Sequence, residues 1–127
     1  MKQKRIWKYI PFCRLIIAGS RTFNDYDLLK KKVNHYTTPI GKLIVICGGA
    51  KGADLLGKKW AEEYWIPYQN FLPDYKTHGR SAPILRNTEM ADNADWLICF
   101  WDGVSKGSSD MIHKAKIRGL RTIVVRF

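Results

Sequence analysis

The sequence predicts a single α/β domain built on a mainly parallel, five-stranded sheet with helices on both faces, and three observations lead there. Short apolar runs alternate along the chain with stretches of helical, 3.6-residue periodicity. Three of those runs end in glycine or small polar residues, as strands do where they turn into helices. The length of 127 residues suits one domain and is enough to bury a core without disulfides or a metal.

Residues 1–11 mix Lys, Arg, Trp and Tyr, end at Pro11, and read as a basic N-terminal extension ahead of a domain spanning 12–127. Arg14 to Ala18 is a first buried strand and Leu43 to Cys47 a second, each followed directly by Gly. Between them Leu29, Val33 and Tyr36 fall at i, i+4 and i+7, which gives a helix over Tyr26 to Tyr36 capped by Asn24 or Asp25. Ala53, Leu56, Trp60, Ala61 and Tyr64 form the cleanest helical stripe, so a helix runs from about Gly52 to Tyr64 straight after the second strand. Pro67 to Leu72 reads as a short third strand and Pro73 to Ser81 as a loop. Pro83 suits a helix start, and Asn87, Met90, Ala91 and Ala94 share one face of the helix that follows. A polar Asn on that stripe needs a partner. Trp96 to Trp101 is a fourth strand, Ser108 to Arg118 a helix burying Met111, Ile112 and Ala115, and Thr122 to Val125 a last strand.

Composition narrows the function classes. No apolar run approaches the roughly 18 residues of a membrane-spanning helix, and Leu15 to Ala18 is too short for a signal peptide, so a cytoplasmic location is expected. Cys13, Cys47 and Cys99 are odd in number, far apart and set in strand-like segments, which favours reduced core thiols over disulfides or a metal. The net charge of +11 would attract nucleotides, nucleic acid or any polyanion, and also keeps a protein soluble. The basic residues are scattered and show no aromatic-interleaved repeat, so nucleic acid is a secondary partner.

The polar residues collect at three strand ends: Gly19, Ser20 and Arg21; Gly48, Gly49, Ala50, Lys51 and Gly52, with Asp54 beyond; and Asp102 and Gly103 through Lys106, Gly107 and Ser108. In an open parallel sheet such ends share one edge, where ligands bind in the crevice at which strand order reverses. Glycines admit a phosphate close to the backbone, and helix N-termini offer unpaired N–H groups and a favourable dipole. Tight turns would use the same glycines; three coincident loops favour a phosphate crevice.

Two motifs mislead. Gly52 to Lys58 spells GxxxxGK, but Lys59 stands where Ser or Thr must hold magnesium, and Gly57 falls inside the helical stripe. The Gly48 loop lacks GxGxxG spacing, and no acidic residue ends the next strand to hold a ribose, which argues against a dinucleotide dehydrogenase. His35, His78 and His113 are isolated, the serines lack a triad context, and nothing is spaced as a metal site. Catalytic residues stay unassigned, and no metal or resident cofactor is expected.

Gly19-Ser20-Arg21, Gly48-Gly49-Ala50-Lys51-Gly52-Ala53-Asp54, Pro73-Asp74-Tyr75, His78-Gly79, Arg86-Asn87 with Met90, and Gly103 to Ser108 resemble, in order and spacing, the YspA-type members of the SLOG superfamily. That superfamily is Rossmann-like and includes the cytokinin-activating phosphoribohydrolases, the DNA-processing protein DprA and nucleotide-sensing domains of bacterial defence systems. The resemblance implies a nucleotide or nucleotide-derived ligand, ADP-ribose-like or a cyclic signal, held by a sensor or sequestering protein. It gives Arg86 a role on phosphate or the leaving base and brings Asn87 to the ligand, against capping and backbone roles for the two. Trp101 and Tyr75 could stack on a base, and core packing is an equal reading for Trp101.

The phosphoribohydrolases carry PGGxGTxxE, and aligning its GT on Gly107-Ser108 puts Met111 at the Glu position. Asp110 is adjacent, but one helical residue turns a side chain by about 100°. Binding is therefore preferred to turnover, with a nucleoside monophosphate N-glycosidase using Asp54, Asp102 or Asp110, and single-stranded DNA binding like DprA, as alternatives. Related domains pair through helices, so a homodimer or larger homo-oligomer is the expected assembly.

Overall fold

The computed structural model describes residues 12–127, so the extension read over residues 1–11 lies outside it. In chain order the elements are β1 (Cys13–Gly19), α1 (Tyr26–Thr37), β2 (Leu43–Cys47), α2 (Ala53–Glu63), β3 (Tyr68–Asn70), α3 (Tyr75–His78), a 3-10 turn (Gly79–Ser81), α4 (Ala82–Asp92), β4 (Trp96–Trp101), α5 (Lys106–Ile117) and β5 (Arg121–Arg126). The strands form one five-stranded sheet in the order β3-β2-β1-β4-β5, and all four pairings are parallel.

Strand side chains alternate between faces, and that alternation sorts the core into two layers. Leu15, Ile17, Val45, Ile98 and Phe100 pack with Leu29 and Val33 of α1 and with Ala53, Trp60 and Ala61 of α2. On the other face Ile16, Ala18, Ile46, Leu97 and Cys99 meet Met90 and Ala91 of α4 and Met111, Ile112 and Ala115 of α5. Two helices thus cover each face, as the strand and helix patterns predict. Three free cysteines accompany them, and burial pushes the Cys47 and Cys99 thiols up to about 12.

Two local readings change. Pro73 to Ser81 is not a plain loop: the Asp74 carboxylate accepts the Thr77 amide at 3.1 Å and folds the single turn of α3, with the 3-10 turn after it. The last helix starts at Lys106 rather than Ser108, because the Asp102 carboxylate accepts the Val104 and Ser105 amides at 2.9 and 2.8 Å and tightens the turn after β4. Of the two candidate caps for α1, Asp25 does the work, accepting the Leu28 amide at 3.0 Å. Among the described residues no helix is long and apolar enough to cross a membrane.

The central strand β1 pairs with β2 through Leu15 and Val45 and with β4 through Leu15 and Trp96. Strand order reverses there. The chain leaves β1 toward one edge of the sheet and returns to the other side of β1 as β4, so the loops after these strands diverge and open a crevice between them.

Candidate functional site

The crevice at the β1–β4 reversal has a volume of about 160 Å³. Of the residues singled out in the sequence, Gly19, Ser20, Arg21, Ala50, Asp54, Arg86, Asn87, Gly107 and Ser108 line it. Gly48, Gly49, Gly52, Asp102, Gly103 and Lys106 do not. Gly52 lies against the Ser20 and Arg21 carbonyls and Gly103 against the Arg126 guanidinium.

Ser20 is buried, and its hydroxyl is already engaged: it accepts the Asp102 amide at 3.1 Å and shares a hydrogen bond with the Ser105 hydroxyl at 3.0 Å. It stitches the end of β1 to the loop after β4. The Asp102 carboxyl, held below the usual range by the Ser105 and Val104 amides, is likewise committed to its own turn.

The two helix N-termini at this edge differ in charge. The first turn of α5 holds no acidic residue, Ser105 gives it no side-chain cap, and the Lys106, Gly107 and Ser108 amides find no acceptor among the described residues. That end is open to an anion. The first turn of α2 carries Asp54, whose carboxylate accepts the Ala50 amide at 3.2 Å. The Gly48 loop therefore already holds a negative charge of its own.

Asp54 and Arg86 meet behind the loop. Both lie against Gly48, where a Cβ would come 2.6 Å from Arg86 Nη1 and 2.7 Å from Asp54 Oδ2, so glycine is required for the close approach. Arg86 donates through Nη1 to the Gly48 carbonyl and through Nε to Asn87 Oδ1 at 3.2 Å. Its Nη2 has no acceptor among the described residues. Burial pushes the Asp54 carboxyl up to about 6, against the pull of Arg86, of the Ala50 and Gly19 amides and of Arg21.

Asn87 finds the partners its place on an apolar stripe demands. Its Nδ2 donates to the Gly107 carbonyl at 3.2 Å and to Asp110 Oδ2 at 3.0 Å, which ties α4 to the first turn of α5. Asp110 also binds Lys114 at 3.0 Å and does not line the crevice, whereas Met111, buried, does. The Trp101 indole donates to the Ser105 carbonyl at 3.0 Å and packs on the α4–α5 layer under Arg126, so it belongs to the framework. Tyr75 is exposed on the Arg86 side of the site.

Ala18, Pro83, Ile84, Met90 and Ser105 also line the crevice and were not singled out as ligand-facing in the sequence. Pro83 and Ile84 arrive on α4, after the long return across the sheet, and no local pattern marks them. Ser105 had a signal, its place two residues before the Gly107-Ser108 turn.

The YspA, cpYpsA-related SLOG family model matches residues 13–78. The Gene 61 protein of Mycobacterium phage D29 is 32% identical over 120 residues, which cover 87% of this chain and 94% of the phage protein. Among solved structures, the X-ray structure of DNA processing protein A (DprA) from Streptococcus pneumoniae matches with a TM-score of 0.58 at 14% identity, covering 90% of this chain. The match spans 59% of DprA, and the likeness is one of fold.

Proposed function

Because the chain belongs to the YspA, cpYpsA-related SLOG family, we propose that it binds a nucleotide or nucleotide-derived anion in the β1–β4 crevice, as a sensor or a sequestering protein. A nucleotide-related role goes with that family in general. One observation carries the finer assignment: the uncapped, acid-free N-terminus of α5 opens into the same crevice as the exposed Arg21 and the unengaged Nη2 of Arg86. Unpaired amides, a helix dipole and two guanidinium groups converge on one small space, which is the chemistry of phosphate recognition.

The size agrees with a partial enclosure. A crevice of about 160 Å³ is below the roughly 300–1,000 Å³ of pockets that swallow a whole drug-sized molecule, and suits a phosphate with part of a sugar. The base would then lie at the rim, beside the half-exposed Ile84. Met111 offers the crevice a thioether where the phosphoribohydrolases place a carboxylate, so the reading is holding rather than cleavage.

Native mass spectrometry of the purified protein, followed by calorimetry against a nucleotide panel, tests this. A bound nucleotide-type molecule is expected, and Arg86→Ala should weaken binding roughly 10- to 100-fold, the worth of a charge-assisted hydrogen bond. An empty protein that ignores the whole panel overturns the reading, and release of free base from a nucleoside monophosphate would replace it by an N-glycosidase.

A second reading, single-stranded DNA on the basic surface, is favoured by the net charge of +11 and by the fold likeness to DprA. It predicts steeply salt-dependent binding that survives Arg86→Ala.

A further inference from the structure

Asp54 is the only carboxylate lining the crevice among the described residues, and it is 5% exposed. Its oxygen holds the Ala50 amide, the position that an incoming anion would otherwise take in the Gly48 loop. The charged groups facing it are Arg86 from α4 and Arg21 from the loop after β1. The Cys47 and Cys99 thiols approach from β2 and β4, and both stay protonated, with values near 12. Among the described residues no histidine lines the crevice to serve as the proton acceptor instead.

An anion drawn to α5 and the two arginines enters a space of about 160 Å³ that Asp54 also faces. The two like charges would then sit a few ångströms apart with little water between them. Such a neighbour raises the proton affinity of a carboxylate roughly ten- to a thousandfold. Asp54 already releases its proton only at about 6, so an increase of that size protonates it at neutral pH.

We propose that Asp54 couples ligand binding to proton uptake: the crevice takes up one proton, onto the Asp54 carboxylate, together with its anionic ligand. As a neutral acid, Asp54 no longer repels the ligand and gains an O–H to donate to a phosphate oxygen. The site thereby selects its ligand by charge and by pH. This inference rests on the reading of the crevice as the ligand site.

The test is calorimetry with ADP-ribose as the probe, because its pyrophosphate is a diester without the secondary ionisation near about 6 of a phosphomonoester and keeps a constant charge between about pH 5.5 and about pH 8. For the wild-type protein, affinity should rise at least about tenfold from the higher pH to the lower. At neutral pH the binding heat should vary with the ionisation enthalpy of the buffer, with a slope of about one proton taken up. Asp54→Asn should bind equally well at both pH values and take up no proton.

Wild-type binding that is independent of pH and of buffer overturns the coupling and leaves the binding site standing. An Asp54→Asn protein that keeps the pH dependence also overturns it. Should Asp54→Asn fail to fold, the proton count of the wild-type protein alone decides. A wild-type protein that binds neither ADP-ribose nor any nucleotide of the panel overturns the site reading, and the coupling with it.

Discussion

At the scale of single residues, Asp54 carries a cost as well as a role. Its carboxyl titrates at about 6 in the fold against an ordinary value of 3.8, because burial disfavours the charge. The folded state therefore binds the proton more tightly than the unfolded chain. The stability this provides is complete below about 3.8 and is lost as pH rises through about 6. Asp54→Asn, which keeps an acceptor for the Ala50 amide, should raise stability at about pH 8 by roughly 1–3 kcal/mol and change it little at about pH 4. Urea denaturation at the two pH values checks this. Gly57 shows how a residue can mislead in sequence: it completes a phosphate-loop spelling, yet it sits buried in α2 where a Cβ would press to 2.7 Å on the Ile17 side chain. Overpacking costs about 1–3 kcal/mol and exceeds the roughly 1 kcal/mol that alanine gains in a helix. Gly57→Ala should thus lower the midpoint of thermal unfolding.

At the scale of elements, the site depends on how α4 holds α5. Asn87 bonds both the Gly107 carbonyl and Asp110, so Asn87→Ala should destabilise the fold by roughly 1–3 kcal/mol and loosen the amides that face the crevice. Thermal unfolding and ligand affinity should therefore fall together, whereas a merely structural bond would move only the first. The strands and the longer helices were legible because their apolar residues repeat at the right spacing, as in Ala53, Trp60 and Ala61 of α2. Periodicity is silent about a four-residue helix such as α3. What forms it is the side chain of Asp74, just as Asp102 shifts the start of α5. The Asn on the stripe of α4 announced that a partner existed, and only the meeting of two distant elements shows which.

At the scale of the whole molecule, the net charge of +11 acts on encounter rather than on fit. The association rate of an anionic nucleotide should drop several-fold between about 50 and about 500 mM salt, as the screening length shrinks. Stopped-flow mixing measures it, and a rate indifferent to salt would show that the surface charge does not steer. The location of the crevice was readable in the sequence, since glycine-rich strand ends of a parallel sheet share one edge. The assignment of its open N-terminus was not, because it turns on Asp54 reaching back to Ala50 and on nothing comparable at α5.

The central place of β1 has a consequence in time. The strand is synthesised early in the domain, yet one of its two neighbours is made late: the Arg14 amide reaches the Asp95 carboxylate 81 positions further on. On the ribosome, β1 stays half paired until β4 emerges, and the far wall of the crevice does not exist before α5 follows it. A ligand can therefore recognise only the finished domain. A ligand held in the crevice would reward completion of the domain, and a product truncated before β4 would be left both unfinished and unable to bind it.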